Sequence, residues 1–358
     1  MRVCFFITSL GDGGAQRQCI ALLNELQKIR GVEVHLILAG RGEHDHDLDV
    51  SGLHLHRIAV ASFRNPLLLA FVIRTLIRVR PDVLISWLQG ADIWSYVATR
   101  VVRGVPWIMT ERGSAYPDEA IYNLRKRLGR KADAIVANSR QGREMWELLA
   151  PSVPVLQISN IPLRQPDSAA STPRRMDSIE CLYVGRLAPP KNVGAMAAAF
   201  AAFADENPHA QLVVAGQGPD EPAILEAMLT RGVGGRAVLL GFRNDVPQLM
   251  SQSRLLLSLS EHEGMPNVIM EAVAAGLPAV VSDIPQHRAL LGDSYPFYVP
   301  LEASPEKAGA VIAKAWAAPP DANLYAHALR VLSGMTPDVV VEEFLKAFTR
   351  VIDGRTSR

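Results

Sequence analysis

The sequence has few cysteines and no pattern that would pair them. Cys4, Cys19 and Cys181 are odd in number, lie within apolar runs and lack the spacing of metal ligands. A disulfide framework and a zinc site built on thiolates are therefore both disfavoured. We expect three buried, reduced thiols in a cytosolic protein.

The sequence also lacks a long uninterrupted apolar segment. The most hydrophobic stretch, residues 66–79, contains Arg74 and Arg78 and is shorter than the roughly 20 apolar residues that cross a bilayer. The first apolar run ends in a glycine loop without a small-residue cleavage site, which indicates a first strand rather than a signal peptide. No transmembrane segment is expected.

No strong excess of charge of one sign is present, because 37 basic residues face 36 acidic ones and the net charge is +1. Residues 1–163 carry 20 basic and 15 acidic side chains, and residues 164–358 carry 17 and 21. This asymmetry is too small to favour nucleic acid as a partner. The basic first half is compatible with an acidic membrane surface or a phosphorylated acceptor.

What the sequence does contain is an alternation of short β-branched and aromatic runs with longer helical patterns. This alternation is typical of parallel sheets built from βαβ units, and it starts again in the second half of the chain. We therefore predict an α/β protein with two Rossmann-like domains facing a central cleft. The predicted strands span residues 3–7, 34–38, 83–86, 107–110, 134–137 and 155–158, then 181–184, 211–215, 237–240, 255–259 and 279–282.

The predicted domains are residues 1–162 and 163–337. Residues 160–178 contain three prolines, several serines and no apolar periodicity, which is the composition of an exposed linker. The last helical pattern follows Pro337, and by fold analogy a helix over about 338–358 packs back on the first domain.

The richest motif is SEHEGMPNVIMEAVAAGLPAVVSD, in which Glu263 precedes a predicted helix and Glu271 lies inside it. Pro266 suits the first helical turn, and Gly276 followed by Pro278 ends the helix. The free N–H groups at the helix start can hold a phosphate, and the two carboxylates can accept hydrogen bonds from sugar hydroxyls. Alternatively, Glu263 is only a charged loop residue and Glu271 is only a surface residue of the helix.

Two further segments follow predicted strands. In YVGRLAPPKN, Arg186 and Lys191 lie beyond a strand end, where two cations could neutralise a diphosphate unless they are merely solvated. In SLGDGGAQRQ, Gly13 and Gly14 would let backbone N–H groups approach a phosphate or sugar. Neither G-x-G-x-x-G nor a Walker loop is present there, so a nicotinamide oxidoreductase is disfavoured.

The glycine loop, the Arg and Lys pair and the two glutamates occur in an order that resembles the retaining GT-B glycosyltransferases of family four over nearly the whole chain. The resemblance implies that Glu263 holds the transferred sugar, that Arg186 and Lys191 bind the diphosphate in place of a metal, and that no cofactor is needed. It also implies a set of residues that bind the sugar donor: Gly13, Gly14, Gly241, Phe242, Gly264, Met265, Pro266, Asn267, Val268 and Glu271.

One motif departs from this family. Many relatives carry a histidine where this chain has MTERGS, so Glu111 either orients an acceptor hydroxyl or a donor amide, and then acts in catalysis, or only pairs with Arg112. The nine histidines form no H-x3-H pair with a partner carboxylate. His44, His46, His54 and His56 alternate across a polar stretch that favours a loop and an edge strand over a metal site.

The expected substrates are a nucleotide sugar, with UDP before GDP as the carrier, and a saccharide acceptor that we expect to be lipid-linked. Two basic and apolar stretches suggest a peripheral position on the inner face of the cytoplasmic membrane: residues 63–80, and residues 121–131 with Arg125, Lys126 and Arg127. Core packing of the first helix and a solvated face on the second are the alternatives. A nucleotide-sugar epimerase and a silent sugar-nucleotide binding protein are the rival functions.

Overall fold

The computed structural model describes residues 1–60, 62, 64–116, 119–163 and 179–356. The chain forms two compact units, Met1–Ile161 with Met335–Arg358 and Pro162–Gly334. The sequence-based boundary was placed one residue later, after residue 162, and most of the predicted linker lies outside the described residues. Each unit is described by itself below.

The first unit contains a seven-stranded parallel sheet in the order β3-β2-β1-β4-β5-β6-β7. Its strands are β1 (Arg2–Ile7), β2 (Glu33–Leu38), β3 (Leu53–Arg57), β4 (Val83–Trp87), β5 (Trp107–Glu111), β6 (Ala134–Ala137) and β7 (Val155–Gln157). Its helices are α1 (Gly14–Leu26), α2 (Pro66–Val79), α3 (Gln89–Val101), α4 (Ala120–Gly129) and α5 (Arg140–Leu149).

Alternate residues of β1 enter two different hydrophobic cores, because side chains of a strand point in turn to opposite faces of the sheet. Phe5 lies in the core shared with α1, and Phe6 lies in the core shared with α2. All three cysteines are buried and unpaired, as predicted. Burial raises the pKa of Cys4 to about 12, so this thiol is inert near neutral pH.

The C-terminal helix α13 (Pro337–Thr356) is part of the first unit. Phe344 and Phe348, one turn apart, are completely or almost completely buried in the core on the α1 side. The Phe348 ring lies 6.3 Å from Phe5 and the Phe344 ring lies 6.5 Å from Trp87. The last helix therefore completes the core of the first sheet.

The second unit contains a six-stranded parallel sheet in the order β10-β9-β8-β11-β12-β13. Its strands are β8 (Ile179–Val184), β9 (Leu212–Ala215), β10 (Ala237–Leu239), β11 (Ser253–Ser258), β12 (Ala279–Ser282) and β13 (Tyr298–Val299). Its helices are α6 (Val193–Glu206), α7 (Glu221–Thr230), α8 (Val246–Ser251), α9 (Asn267–Ala274), α10 (Pro285–Leu291), α11 (Pro305–Ala317) and α12 (Ala326–Ser333).

Both predicted Rossmann-like sheets are thus confirmed, with strand bounds within two residues of the expected ones. The two-residue strand β13 was not predicted, because so short a run has no periodicity to detect. Strand β3 occupies the edge of the first sheet, as the polar alternation around His54 and His56 indicated. Among the described residues no helix is both long enough and apolar enough to cross a membrane.

Candidate functional site

In the second unit the charged residues predicted after β8 and β11 lie beside one another. The strand order reverses between these two neighbours, and such a reversal opens a crevice at the carboxyl ends of the strands, where ligands bind. Lys191 Nζ lies 2.6 Å from Glu263 Oε1 across this reversal. The Glu261 N–H also donates to the Pro190 carbonyl at 3.0 Å, so backbone and side chains join the two loops.

The Glu263 carboxylate stays ionised although its side chain is only 10% exposed. Burial alone raises the pKa of this carboxyl, but Lys191, His287 and a hydrogen bond from Ser260 outweigh it and hold the pKa below its usual range. Arg186 is exposed, and its guanidinium has no ion-pair or hydrogen-bond partner within the described ranges. The crevice thus presents one paired and one unpaired cation to an anionic ligand.

His287 is a buried member of this site that sequence reasoning missed. Its Nδ1 lies 2.7 Å from the Ser282 carbonyl, and since a carbonyl only accepts, Nδ1 carries the proton. Burial lowers the pKa of His287 to about 4 in spite of nearby Glu263, so the ring is neutral near pH 7. A neutral ring leaves Lys191 as the cation that pairs with Glu263.

Helix α9 begins as the motif predicted, with Pro266 at the position before its first residue and no side-chain cap. Its first N–H groups and the positive end of its dipole are the elements that suit a phosphate. Glu271 lies one turn into the helix, is 7% exposed and interacts with other described residues. Glu263 and Glu271 therefore stand on either side of the helix start.

Glycines bring the loops after β8, β9 and β10 into close contact. A Cβ on Gly216 would lie 1.8 Å from the Gly185 carbonyl oxygen, which no other residue could tolerate. The Gly216 N–H donates to the Gly241 carbonyl at 2.8 Å, and Gly241 has a φ of +64°. Gly241 and Phe242 thus follow β10, at the same carboxyl edge of the sheet as Arg186, which follows β8.

In the first unit the strand order reverses between β1 and β4, and the predicted glycine loop lies there. Trp87 Nε1 donates to the Ala15 carbonyl at 2.8 Å and ties the end of β4 to the start of α1. Gly13 precedes that helix with an ordinary extended φ of −95° and no side-chain cap. Leu88 has a φ of +72°, a strained conformation for a side-chain-bearing residue that tends to occur at functional sites.

Glu111, predicted as a catalytic or acceptor-orienting residue, is 1% exposed and surrounded by donors. Oε1 accepts from the Gly113 N–H at 2.7 Å, and Oε2 accepts from Arg125, Trp146 and Tyr116. Three of these donors contact Oε2 and one contacts Oε1, so protein groups engage both oxygens of the carboxylate. The predicted pairing with Arg112 is therefore wrong, because the ion pair of Glu111 is with Arg125.

Arg125 was predicted to face a membrane, and that prediction is wrong. Its side chain is 3% exposed and its guanidinium lies 2.5 Å from Asp92 Oδ2 and 2.7 Å from Glu111 Oε2. Burial raises the pKa of the Asp92 carboxyl, and the two carboxylates together keep Arg125 charged. Helical periodicity explains the error, since five cations in eleven residues cannot all lie on one face.

Arg112 instead stacks on Trp87, with its Cζ 3.7 Å from the ring centroid. One nitrogen donates to Asn160 Oδ1 at 3.2 Å, but Nε and Nη2 are shielded from solvent and have no partner among the described residues. Burial lowers the pKa of Arg112 to about 9, against the opposing influence of Glu111. The guanidinium is thus poorly compensated and would gain from an anionic ligand.

Two Rossmann-like units, each with a strand reversal in its parallel sheet, are the elements of the GT-B architecture. The protein-family model described as Glycosyltransferase Family 4 matches residues 12–158. The family model described as Glycosyl transferases group 1 matches residues 178–317. The two matches cover most of the chain. This protein belongs to the group 1 and family 4 glycosyltransferases.

Curated relatives are glycosyltransferases with different substrates. The α-D-kanosaminyltransferase of Streptomyces kanamyceticus is 26% identical over 62% of this chain and 64% of its own length. An Escherichia coli enzyme named UDP-Gal:α-D-GlcNAc-diphosphoundecaprenol α-1,3-galactosyltransferase is 34% identical over 34% of this chain and 32% of its own. The alignments thus span less than two thirds of either relative.

Solved structures share the fold over nearly the whole chain. Anabaena HepE in complex with UDP and glucose superposes with a TM-score of 0.80, at 17% identity, over 98% of this chain and 100% of HepE. Staphylococcus aureus TarM, in a complex with fondaparinux, α-GlcNAc-glycerol and UDP, gives a TM-score of 0.77 at 9% identity, with 97% and 99% covered. At these identities the likeness establishes the fold.

Arg125 is buried with Asp92 and Glu111, so substitutions at different positions of helix α4 should differ in their effect on the free energy of unfolding. Arg125→Gln should lower the free energy of unfolding of the first unit by about 3–5 kcal/mol, because it leaves two buried carboxylates without their cation. Arg127→Gln, on the exposed face of the same helix, should change it by less than about 0.5 kcal/mol. Urea unfolding followed by tryptophan fluorescence measures both, and equal stabilities of the two variants would contradict the assigned cluster.

Proposed function

We propose that this protein is a retaining glycosyltransferase that moves a hexose or N-acetylhexosamine from a nucleotide diphosphate sugar to a saccharide acceptor. A UDP sugar is the first choice of donor and a GDP sugar the second. The observation that carries the proposal is the Lys191–Glu263 pair at the strand reversal of the second unit, where the unpaired Arg186 also follows the end of β8.

In the proposed reaction Arg186 and Lys191 neutralise the diphosphate as it leaves, and the start of helix α9 binds a phosphate through its N–H groups. Glu263 accepts hydrogen bonds from the transferred sugar, and Glu271 accepts them from the ribose. The leaving diphosphate takes the proton of the attacking hydroxyl on the same face, so the sugar keeps its anomeric configuration without a protein nucleophile.

Arg112 of the first unit is proposed as an additional anion contact. Its two unpartnered nitrogens lie at the carboxyl end of β5, and a phosphate or carboxylate would supply the missing acceptors. Because Glu111 is occupied by Arg125 and three other donors, Arg112 is the better candidate of this adjacent pair for direct contact with a substrate.

The site predicts different kinetic effects for its two glutamates. Glu263→Gln should lower mainly kcat and Glu271→Gln should raise mainly the KM for the sugar donor, each by ten- to more than hundredfold, because each loses charge-assisted hydrogen bonds worth roughly 1.5–3 kcal/mol. Glu226→Gln, on the exposed face of α7, is the matched control and should keep normal kinetics. Initial rates with a panel of UDP and GDP sugars measure all three, and near-normal rates in both site variants would refute the assignment.

If Arg186 and Lys191 take the place of a divalent metal, turnover should survive the addition of a chelator. The rate in excess EDTA should equal the untreated rate, because Arg186 and Lys191 already balance the charge of the diphosphate. Arg186→Gln should be slow and should not recover when magnesium or manganese is added. If EDTA abolishes turnover and either metal restores it, the two-cation proposal fails.

The acceptor is proposed to be a lipid-linked saccharide, used in cell-surface polysaccharide or glycan assembly at the inner face of the cytoplasmic membrane. The Escherichia coli relative and a Campylobacter jejuni relative are both named for undecaprenol-linked acceptors. Helix α2 adds a surface that suits this proposal: Leu67 and Ile77 are 63% and 57% exposed, and Arg74 and Arg78 are exposed along the same side. Helix α2 is therefore a better candidate for membrane contact than helix α4, whose Arg125 is buried.

Vesicle sedimentation tests the membrane proposal. Replacing Arg74 and Arg78 with Gln should weaken binding to anionic vesicles roughly 30-fold, since each charge near the surface contributes about 1 kcal/mol. Replacing Lys126 and Arg127 should have a smaller effect.

A charge-matched control comes from α5, where Arg140 and Arg143 are exposed and pair with glutamates one turn later. Their double Gln variant should bind as the unmodified protein does. Equal recovery in the supernatant with anionic and neutral vesicles at low salt would leave a soluble saccharide as the proposed acceptor.

A further inference from the structure

A second polar cluster lies at the amino ends of β1, β2 and β3 in the first sheet. The glycine loop lies at the other end of these strands, after β1. Strands β2 and β3 are parallel and His35 is in register with His54, so these two side chains share one face of the sheet. Glu33 precedes His35 by two residues and His56 follows His54 by two, which places both on that same face. The pairing thus gathers one carboxylate and three imidazoles that have no such spacing in the sequence.

Two of the three distances within this cluster are close to those between ligands of a small metal ion. Glu33 Oε1 lies 3.0 Å from His35 Nε2 and 3.6 Å from His54 Nε2, and one ligand atom from each of the three lies within 4.8 Å of the others. Ligands bound at about 2.0–2.1 Å in tetrahedral geometry are about 3.3 Å apart. The His54 side chain is 57% exposed, so it can turn to close the remaining difference.

We infer that Glu33, His35 and His54 form a binding site for one divalent transition-metal ion of the zinc class. Two imidazoles and one carboxylate are a ligand set that zinc accepts, with a fourth position left for water. The cluster opens into a cleft of about 740 Å³ lined also by Leu53, Leu55 and Val79, which gives an ion access from solvent.

His56 has a supporting part in this site. Its Nε2 lies 3.0 Å from His35 Nδ1, the ring nitrogen that does not face Glu33. Metal-bound histidines usually engage their second nitrogen in a hydrogen bond that fixes the tautomer and the ring orientation. Binding therefore requires His35 Nδ1–H to donate to His56, while His35 Nε2 turns its lone pair to the metal.

Two arginines also line the cleft and limit the affinity that it can reach. The Arg2 guanidinium donates to the Val79 carbonyl at 2.7 Å, and Arg78 comes from the last turn of α2. Both cations repel a divalent ion, so the carboxylate of Glu33 has to provide the compensating charge. We therefore expect that, of the three ligands, loss of Glu33 weakens metal binding most.

Without a metal, three of these side chains would form only a hydrogen-bond chain from His56 through His35 to Glu33, with His54 beside Glu33. Metal titration of untagged, EDTA-treated full-length protein separates the two cases. Zinc should bind with a stoichiometry of one in competition with a chromophoric chelator, and X-ray absorption at the zinc edge should show nitrogen and oxygen ligands at about 2.0–2.1 Å without sulfur.

The variants Glu33→Gln and His54→Gln replace half-exposed or exposed side chains, so both should fold normally, which circular dichroism and a thermal melt can verify. Each should weaken zinc binding at least tenfold. His56→Gln should weaken it ten- to hundredfold, as expected of a supporting partner. His46→Gln, an exposed histidine outside the cluster, is the control and should bind as the unmodified protein does.

Loss of binding in Glu33→Gln and His54→Gln with retention in His46→Gln supports the site. Unchanged binding in the two ligand variants, absorption spectra with sulfur ligands, or no zinc bound at about 100 µM would each overturn it. The readout is binding rather than turnover, so the result does not depend on the proposed glycosyltransferase activity.

Discussion

The parallel order of each sheet is the constraint on which the rest of this protein depends. All strands of a unit end at one edge, and the chain must reverse its direction of winding at one place, which leaves a crevice there. In the second unit the reversal falls between β8 and β11. The Lys191–Glu263 pair stands at that crevice, where burial of the carboxylate is offset by a cation and a hydroxyl.

The two units use a carboxylate near a strand end in opposite ways. Glu111 is held by the protein itself, because four donors contact its two oxygens and its cation is buried with it. Glu263 has one charged partner that is 27% exposed and an unpaired arginine nearby. Two carboxylates in the same place after a parallel strand thus differ in how many protein donors surround them.

Much of the fold and of the second-unit site could be predicted from the sequence. Strands of four or more apolar residues were found because periodicity and glycine or proline boundaries are local properties. The residues around Glu263 were found because they follow a strand and precede a helix in one continuous motif. Arg125 was misplaced and His287 missed, since burial and partners depend on elements far apart in the chain. The charge of Arg125 suggested solvent, but two distant carboxylates draw it into the interior.

The same reasoning explains why the sequence pattern around His54 and His56 favoured an edge strand over a metal site. A metal motif is recognisable in a sequence when its ligands lie on one helix or one turn, whereas here strand register supplies the spacing. Strand β3 is an edge strand, with one side of its backbone unpaired in the sheet and Leu55 38% exposed. Edge strands are the least firmly held part of a sheet. An ion shared by Glu33 and His35 of β2 and His54 of β3 would fix that edge by side chains where backbone pairing ends.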